Sequence, residues 1–235
     1  MITIPVDYEY TWYRSIKCKI CSDWLPIFGL GHYKSEVDGG DSFSKRVLWV
    51  YKYGNDDDIL YFSKRLYSMY KEWFEPDNFL FDIICVIPSH KKGEINKNLE
   101  CLAKGLGEKI GVRYSPILFR NRDVLEQHNI NNVEERLENV KASIDVTEDV
   151  KNKSVLVLDN LTTTGANIIV THEALKNAEV KEVIFVCLGF SGKYGNNIDF
   201  DLNPSLKYRA RGVIKNFHAN KLSKEERQKH RENLN

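Results

Sequence analysis

The run Val155-Leu156-Val157-Leu158-Asp159-Asn160 constrains the fold more than any other stretch of this 235-residue chain. Four consecutive apolar residues do not alternate with polar ones, so a strand built from them must be buried on both faces. Two similar runs flank it, Ile83-Ile84-Cys85-Val86-Ile87, closed by Pro88, and residues 183–188. Helical patterns at 99–110 and 168–178 separate these runs. Strand–helix alternation over about 110 residues predicts an α/β fold, a parallel sheet flanked by helices on both faces with right-handed crossovers.

The rest of the chain divides around that unit. Residues 1–41 are aromatic and read as a small irregular N-terminal hood containing Cys18 and Cys21. An α/β domain is expected over 42–192, beginning with a helix at 42–53 that stops at Gly54. A second helix follows Asp56-Asp57-Asp58, with Ile59, Phe62, Leu66, Met69 and Trp73 on one face. A short strand is predicted at 114–119, then a mobile polar loop from Arg120 that runs into a helix by Asn139. Residues 193–235 form a C-terminal extension, in which Ser223 and Glu226 suggest a capping box for a short charged helix.

Charge narrows the partners. The chain carries 34 Lys and Arg against 33 Asp and Glu, which excludes nucleic-acid binding by a uniformly basic surface. Residues 203–235 hold nine basic and three acidic residues, so the body is mildly acidic and the extension basic. That extension is the candidate contact for nucleic acid or a protein partner. No run of eighteen apolar residues marks a membrane span, and the N-terminus lacks a signal-peptide pattern. Cys85, Cys101 and Cys187 lie in apolar or helical patterns and read as reduced core residues, which suggests the cytoplasm. Cys18-Lys19-Ile20-Cys21 is a single knuckle with His32 as a third candidate zinc ligand; no fourth stands out among Glu36, Asp38 and Asp41.

Chemistry concentrates after the central run, at Asp159, Asn160, Leu161, Thr162, Thr163, Thr164, Gly165 and Ala166. A buried strand delivers the carboxylate to the sheet edge where ligands of open α/β folds bind. The next turn offers three hydroxyls, a glycine and the amides of a helix start, all suited to an anion. Carboxylate and anion site together suit a phosphorylated sugar, whose hydroxyls the carboxylate accepts while the turn holds the phosphate.

This segment resembles the phosphoribosyl diphosphate (PRPP) signature of the type I phosphoribosyltransferases. A narrower resemblance, to the ComF-like (competence protein F) members, rests on Tyr51-Lys52-Tyr53-Gly54, Pro88-Ser89-His90, Gln127, Glu135-Arg136, Asn139 and the cysteine pair. The resemblance implies a pentosyl-transferring enzyme that uses PRPP and Mg²⁺. Asp159 and Asn160 would bind the ribose hydroxyls, 162–165 the 5-phosphate, and Ser89, His90, Lys91 and Lys92 the diphosphate. Arg120 and Arg122 on a flexible lid, with Lys91, would stabilise the leaving group.

Two departures are informative. Asn160 replaces the usual second acid, exchanging a charge-assisted bond for a neutral one at a cost of about 1 kcal/mol. Thr163 stands where the 6-oxopurine enzymes carry an aspartate base, which argues against hypoxanthine or guanine as acceptor. The resemblance leaves the acceptor unnamed, with a nitrogen nucleophile expected. Binding of PRPP or a nucleotide without turnover, as a sensor, is the alternative, and an accessory role in DNA handling a third.

Overall fold

The structure is a computed structural model that describes residues 12–17, 24–36, 39–77 and 79–191. Cys18, Cys21 and the basic extension 193–235 lie outside the described residues, as does the charged helix expected within it.

The continuous apolar runs become the sheet centre. Strands β4 (Ile83–Val86), β8 (Ser154–Thr162) and β9 (Glu182–Ser191) are parallel neighbours, with Leu156 opposite both Ile84 and Ile184. Strand β5 (Arg113–Tyr114) adds to the far side of β4, again parallel. Helix α5 (Ala166–Asn177) buries Ile168, Ile169 and Leu175 against Ile83, Cys85, Val155, Val157 and Phe185. Residues one position along each strand, such as Ile84, Leu156 and Ile184, face the other way and are as completely buried. Helices α3 (Lys97–Ile110) and α1 (Ser42–Lys52) pack against these strands. Burial on both faces is what the non-alternating sequence requires.

The N-terminal region differs from expectation. Residues read as irregular form β1 (Trp12–Lys17), β2 (Trp24–Gly29) and β3 (His32–Tyr33). Strand β2 pairs parallel with β9 at Ile27–Phe185, β1 pairs antiparallel with β2, and β3 pairs parallel with the end of β9. The sheet order is β1-β2-β9-β8-β4-β5. Leu25, Ile27 and Phe28 are buried, so this part of the chain completes the core.

The strand expected at 114–119 is also divided. Ser115 N still donates to Ile84 O at 2.9 Å, but Pro116 has no N–H with which to continue the ladder. The chain turns away and forms β6 (Leu118–Arg120), antiparallel to β7 (Ile144–Val146) in a separate two-stranded sheet. That pairing joins the two ends of segment 121–143 beside the main sheet. Helix α2 (Asp56–Trp73) starts at Asp56, with Asn55 as its cap. Asp58 is therefore buried in the first turn, where Arg46 Nη1 donates to it at 2.5 Å.

Candidate functional site

The order of connections locates a crevice. From β4 the chain passes through α3 to β5 on one side; β8 then lies on the other side of β4, and α5 leads on to β9. The direction of winding reverses between β4 and β8, so their carboxyl ends flank the switch point at which ligands of open α/β sheets bind.

Strand β8 carries Asp159 to that edge. Asp159 is 8% exposed, and its carboxylate accepts from Asn160 N at 2.8 Å. Burial pushes its pKa up to about 6, opposed by the Asn160 amide and the charge of Arg120. Asn160 and Leu161 are half-buried and still in β8, and Thr162 is buried opposite Phe190 with a hydroxyl that has no protein partner among the described residues. Gly165 then adopts φ +74°, a left-handed turn that glycine makes without strain, and caps α5. No side chain caps this helix, and among the described residues the amides of Thr163, Thr164 and Gly165 donate to no protein acceptor. Ala166 is the first, buried residue of the helix. Positive peptide ends, hydroxyls and one carboxylate thus share a single turn.

The β4 turn is held differently. Ser89 N donates to Glu94 O at 2.9 Å, Gly93 N to Arg120 O at 3.0 Å and Lys92 N to Asp123 Oδ1 at 2.8 Å. Its tip exposes Lys91 and Lys92, while Ser89 and His90 are half-buried. Segment 121–132 docks on it through Val124 N to His90 O at 2.9 Å, and Glu126 Oε1 lies 3.4 Å from His90 Nε2. Asn139 holds the same segment from behind, accepting from Leu125 N and donating to Leu125 O. The expected loop is therefore a pinned one, anchored also by buried Ile130.

Arg120 needs correction. Instead of lying on a lid, it ends β6 with 1% of its surface exposed. Its fork donates to Ser89 O at 3.0 Å, Pro88 O at 3.3 Å, Ser143 Oγ at 2.5 Å and Asn167 Oδ1 at 3.1 Å. Burial lowers its pKa to about 10, with Asp159 opposing, so it stays charged at neutral pH. The reason it is inside is geometric: β6 directs it beneath both turns, where its donors reach the Pro88 and Ser89 carbonyls of the β4 turn and the Asn167 side chain at the start of α5. Arg122 is exposed and spends Nη2 on Asn139 O and Lys141 O, both at 3.0 Å, at the end of α4 (Val133–Val140).

Sequence reasoning assigned no role to three further residues. Arg136 on α4 is 3% exposed and donates from Nη1 to Thr163 Oγ1 at 2.9 Å. It shares the inward face of α4 with Val140, a pattern that would have flagged it. Tyr51 lies in the last turn of α1, where Asn96 Nδ2 donates to Tyr51 O at 2.9 Å and Asn98 Nδ2 to Val50 O at 2.8 Å. Its phenol pKa is raised by burial and by the charges of Asp159 and Glu126. Asn167, in the first turn of α5, takes one Arg120 donor. His32 registers with Phe190 on β9. Among the described residues no three metal-ligating side chains converge, so the zinc expectation finds no support there.

Residues 100–205 match the model of the phosphoribosyl transferase domain. The match supports the type I phosphoribosyltransferase superfamily and, with the mostly parallel sheet flanked by helices, its α/β fold. It begins within α3 and includes Arg120, Arg136 and the whole β8–α5 turn. A search of curated proteins returns no match. Among the described residues no helix is long and apolar enough to cross a membrane.

Proposed function

We propose that the chain binds PRPP, or a related phosphorylated ribose, at the β8–α5 turn and transfers its ribose 5-phosphate to a nitrogen nucleophile. The observation that carries this reading is the buried Asp159 beside an uncapped helix start lined by Thr163 and Thr164. A simple anion has no use for the carboxylate, and a simple sugar has none for the helix start. A sugar phosphate uses both. The family match, which implies PRPP as substrate, supports the same choice.

In this reading Asp159 and Asn160 accept the ribose hydroxyls, and residues 162–165 surround the 5-phosphate. The acceptor nitrogen forms a bond to C1 as the C1–O bond breaks, and its electron pair leaves with diphosphate. Lys91 and Lys92, exposed on the β4 turn, supply positive charge to that departing group. Since Asp159 is the only acid within 159–166, Mg²⁺ arriving with the diphosphate would be held mainly by ligand oxygens and water, where it neutralises charge. Catalysis is then largely positioning.

The test is diphosphate release from PRPP and Mg²⁺ in the presence of a panel of nitrogen bases. Release that requires one particular base and is lost in Asp159→Ala supports transfer. Binding of PRPP with no release from any base selects the second reading, a sensor that does not turn over. Two observations favour that alternative: Asn160 replaces an acid, and the β4 turn already uses several of its amides internally.

A further inference from the structure

Arg136 links two segments that the proposed ligand would affect differently. Its Nη1 donates to Thr163 Oγ1 at 2.9 Å, and its Nε donates to Ile130 O at 2.7 Å. Gln127 Nε2 returns a bond to Arg136 O at 3.3 Å. One buried guanidinium therefore spans from the β8–α5 turn to the carboxyl end of segment 121–132. The same segment, at its other end, docks on the β4 turn through Val124 and Asp123.

A hydroxyl has one proton to donate and lone pairs to accept with. With a guanidinium on one lone pair of Thr163, its own proton is left to be donated elsewhere, and the half-buried Thr163 stands in the turn where a phosphate would sit. Donation to a phosphate oxygen makes the hydroxyl oxygen a better acceptor, which strengthens the Arg136 bond. That guanidinium in turn fixes Ile130 and the start of α4.

We infer that Arg136 is a positioning residue that couples phosphate occupancy of residues 162–165 to the ordering of segment 121–132 over the β4 turn. The inference rests on the ribose-phosphate reading of the β8–α5 turn and adds the route by which that turn reports to the covering segment. Linkage makes the effect reciprocal: changes that hold 121–132 in place raise affinity for the phosphate. Thr163 then serves as a relay, which explains why a hydroxyl here has a buried arginine behind it.

Hydrogen exchange of the full chain, with and without saturating ribose 5-phosphate, tests the coupling. Calorimetry run alongside establishes that the probe is bound. In the wild type, bound probe slows exchange in 124–131 by about twofold, the size expected when one existing hydrogen bond is strengthened by its neighbour. Thr163→Ser keeps that response. Thr163→Val, compared at saturation, abolishes it. Arg136→Met does the same, and the threonine pair carries the test if burial makes the arginine variant fold poorly. An equal response in Thr163→Val, or bound probe with no response in the wild type, overturns the coupling alone. No binding of probe by the wild type overturns both the coupling and the site reading beneath it.

Discussion

Two turns meet at the centre of the sheet, one after β4 and one after β8, and they are held in opposite ways. The β8 turn leaves its amides, its helix start and the Thr162 hydroxyl without protein partners among the described residues. The β4 turn has its amides on Glu94, Arg120 and Asp123, and its carbonyls on the buried Arg120. One turn is ready for an anion; the other is braced by the protein and must exchange partners to receive one. Position at a switch point therefore does not by itself make a ligand site. What separates the two is which polar groups the fold has already satisfied.

The sharpest way to break this contrast is to remove the brace. Arg120→Met deletes four hydrogen bonds and leaves buried carbonyls without donors, so stability should fall by about 3–5 kcal/mol in denaturant titrations. A loss below about 1 kcal/mol would show that the β4 turn is not braced from beneath.

Asp159 is expected to give the next largest effect, with a sign that depends on pH. Its folded pKa, about 6, lies above the unfolded value. Between pH 4 and 6 the folded state therefore holds a proton that the unfolded state has lost, and stability falls as pH rises through that window. Asp159→Asn should flatten the slope there and be more stable at pH 7 by about 2–3 kcal/mol, while losing ribose-phosphate binding. Thermal melts from pH 4 to 8 check this. A slope identical to that of the wild type would contradict the burial assigned to the carboxylate.

Smaller effects sharpen the comparison further. Asn160→Asp restores a charge-assisted acceptor at the open turn and should tighten PRPP by about 1 kcal/mol, roughly fivefold, in calorimetry. Asp123→Ala releases the Lys92 amide at the braced turn and should speed its hydrogen exchange by about fivefold. An unchanged rate would mean that the bond from Asp123 contributes nothing to the brace.

The sequence disclosed the open turn and concealed the braced one, for a physical reason. Asp159, the three threonines and Gly165 are contiguous, and uninterrupted burial at Val155–Leu158 shows in composition alone. The central strands β4, β8 and β9 were legible on the same ground. The burial of Arg120 and Arg136 was not, because charged residues are expected outside and their partners are distant in the chain, at Pro88, Ser89, Ser143 and Asn167 for the first and Thr163 for the second. Strands β1–β3 escaped notice because they hold aromatic residues, Pro26 and glycines at the sheet margin instead of an apolar run. The split between β5 and β6 was readable at Pro116, where the ladder loses its donor.

The most direct test of the central claim is calorimetric titration of PRPP with Mg²⁺ into the wild type and Asp159→Ala. A site preformed by the β8–α5 turn predicts saturable binding in the wild type, weakened at least about a hundredfold in the variant. Binding of equal strength in both proteins, or none in the wild type at millimolar PRPP, would contradict it.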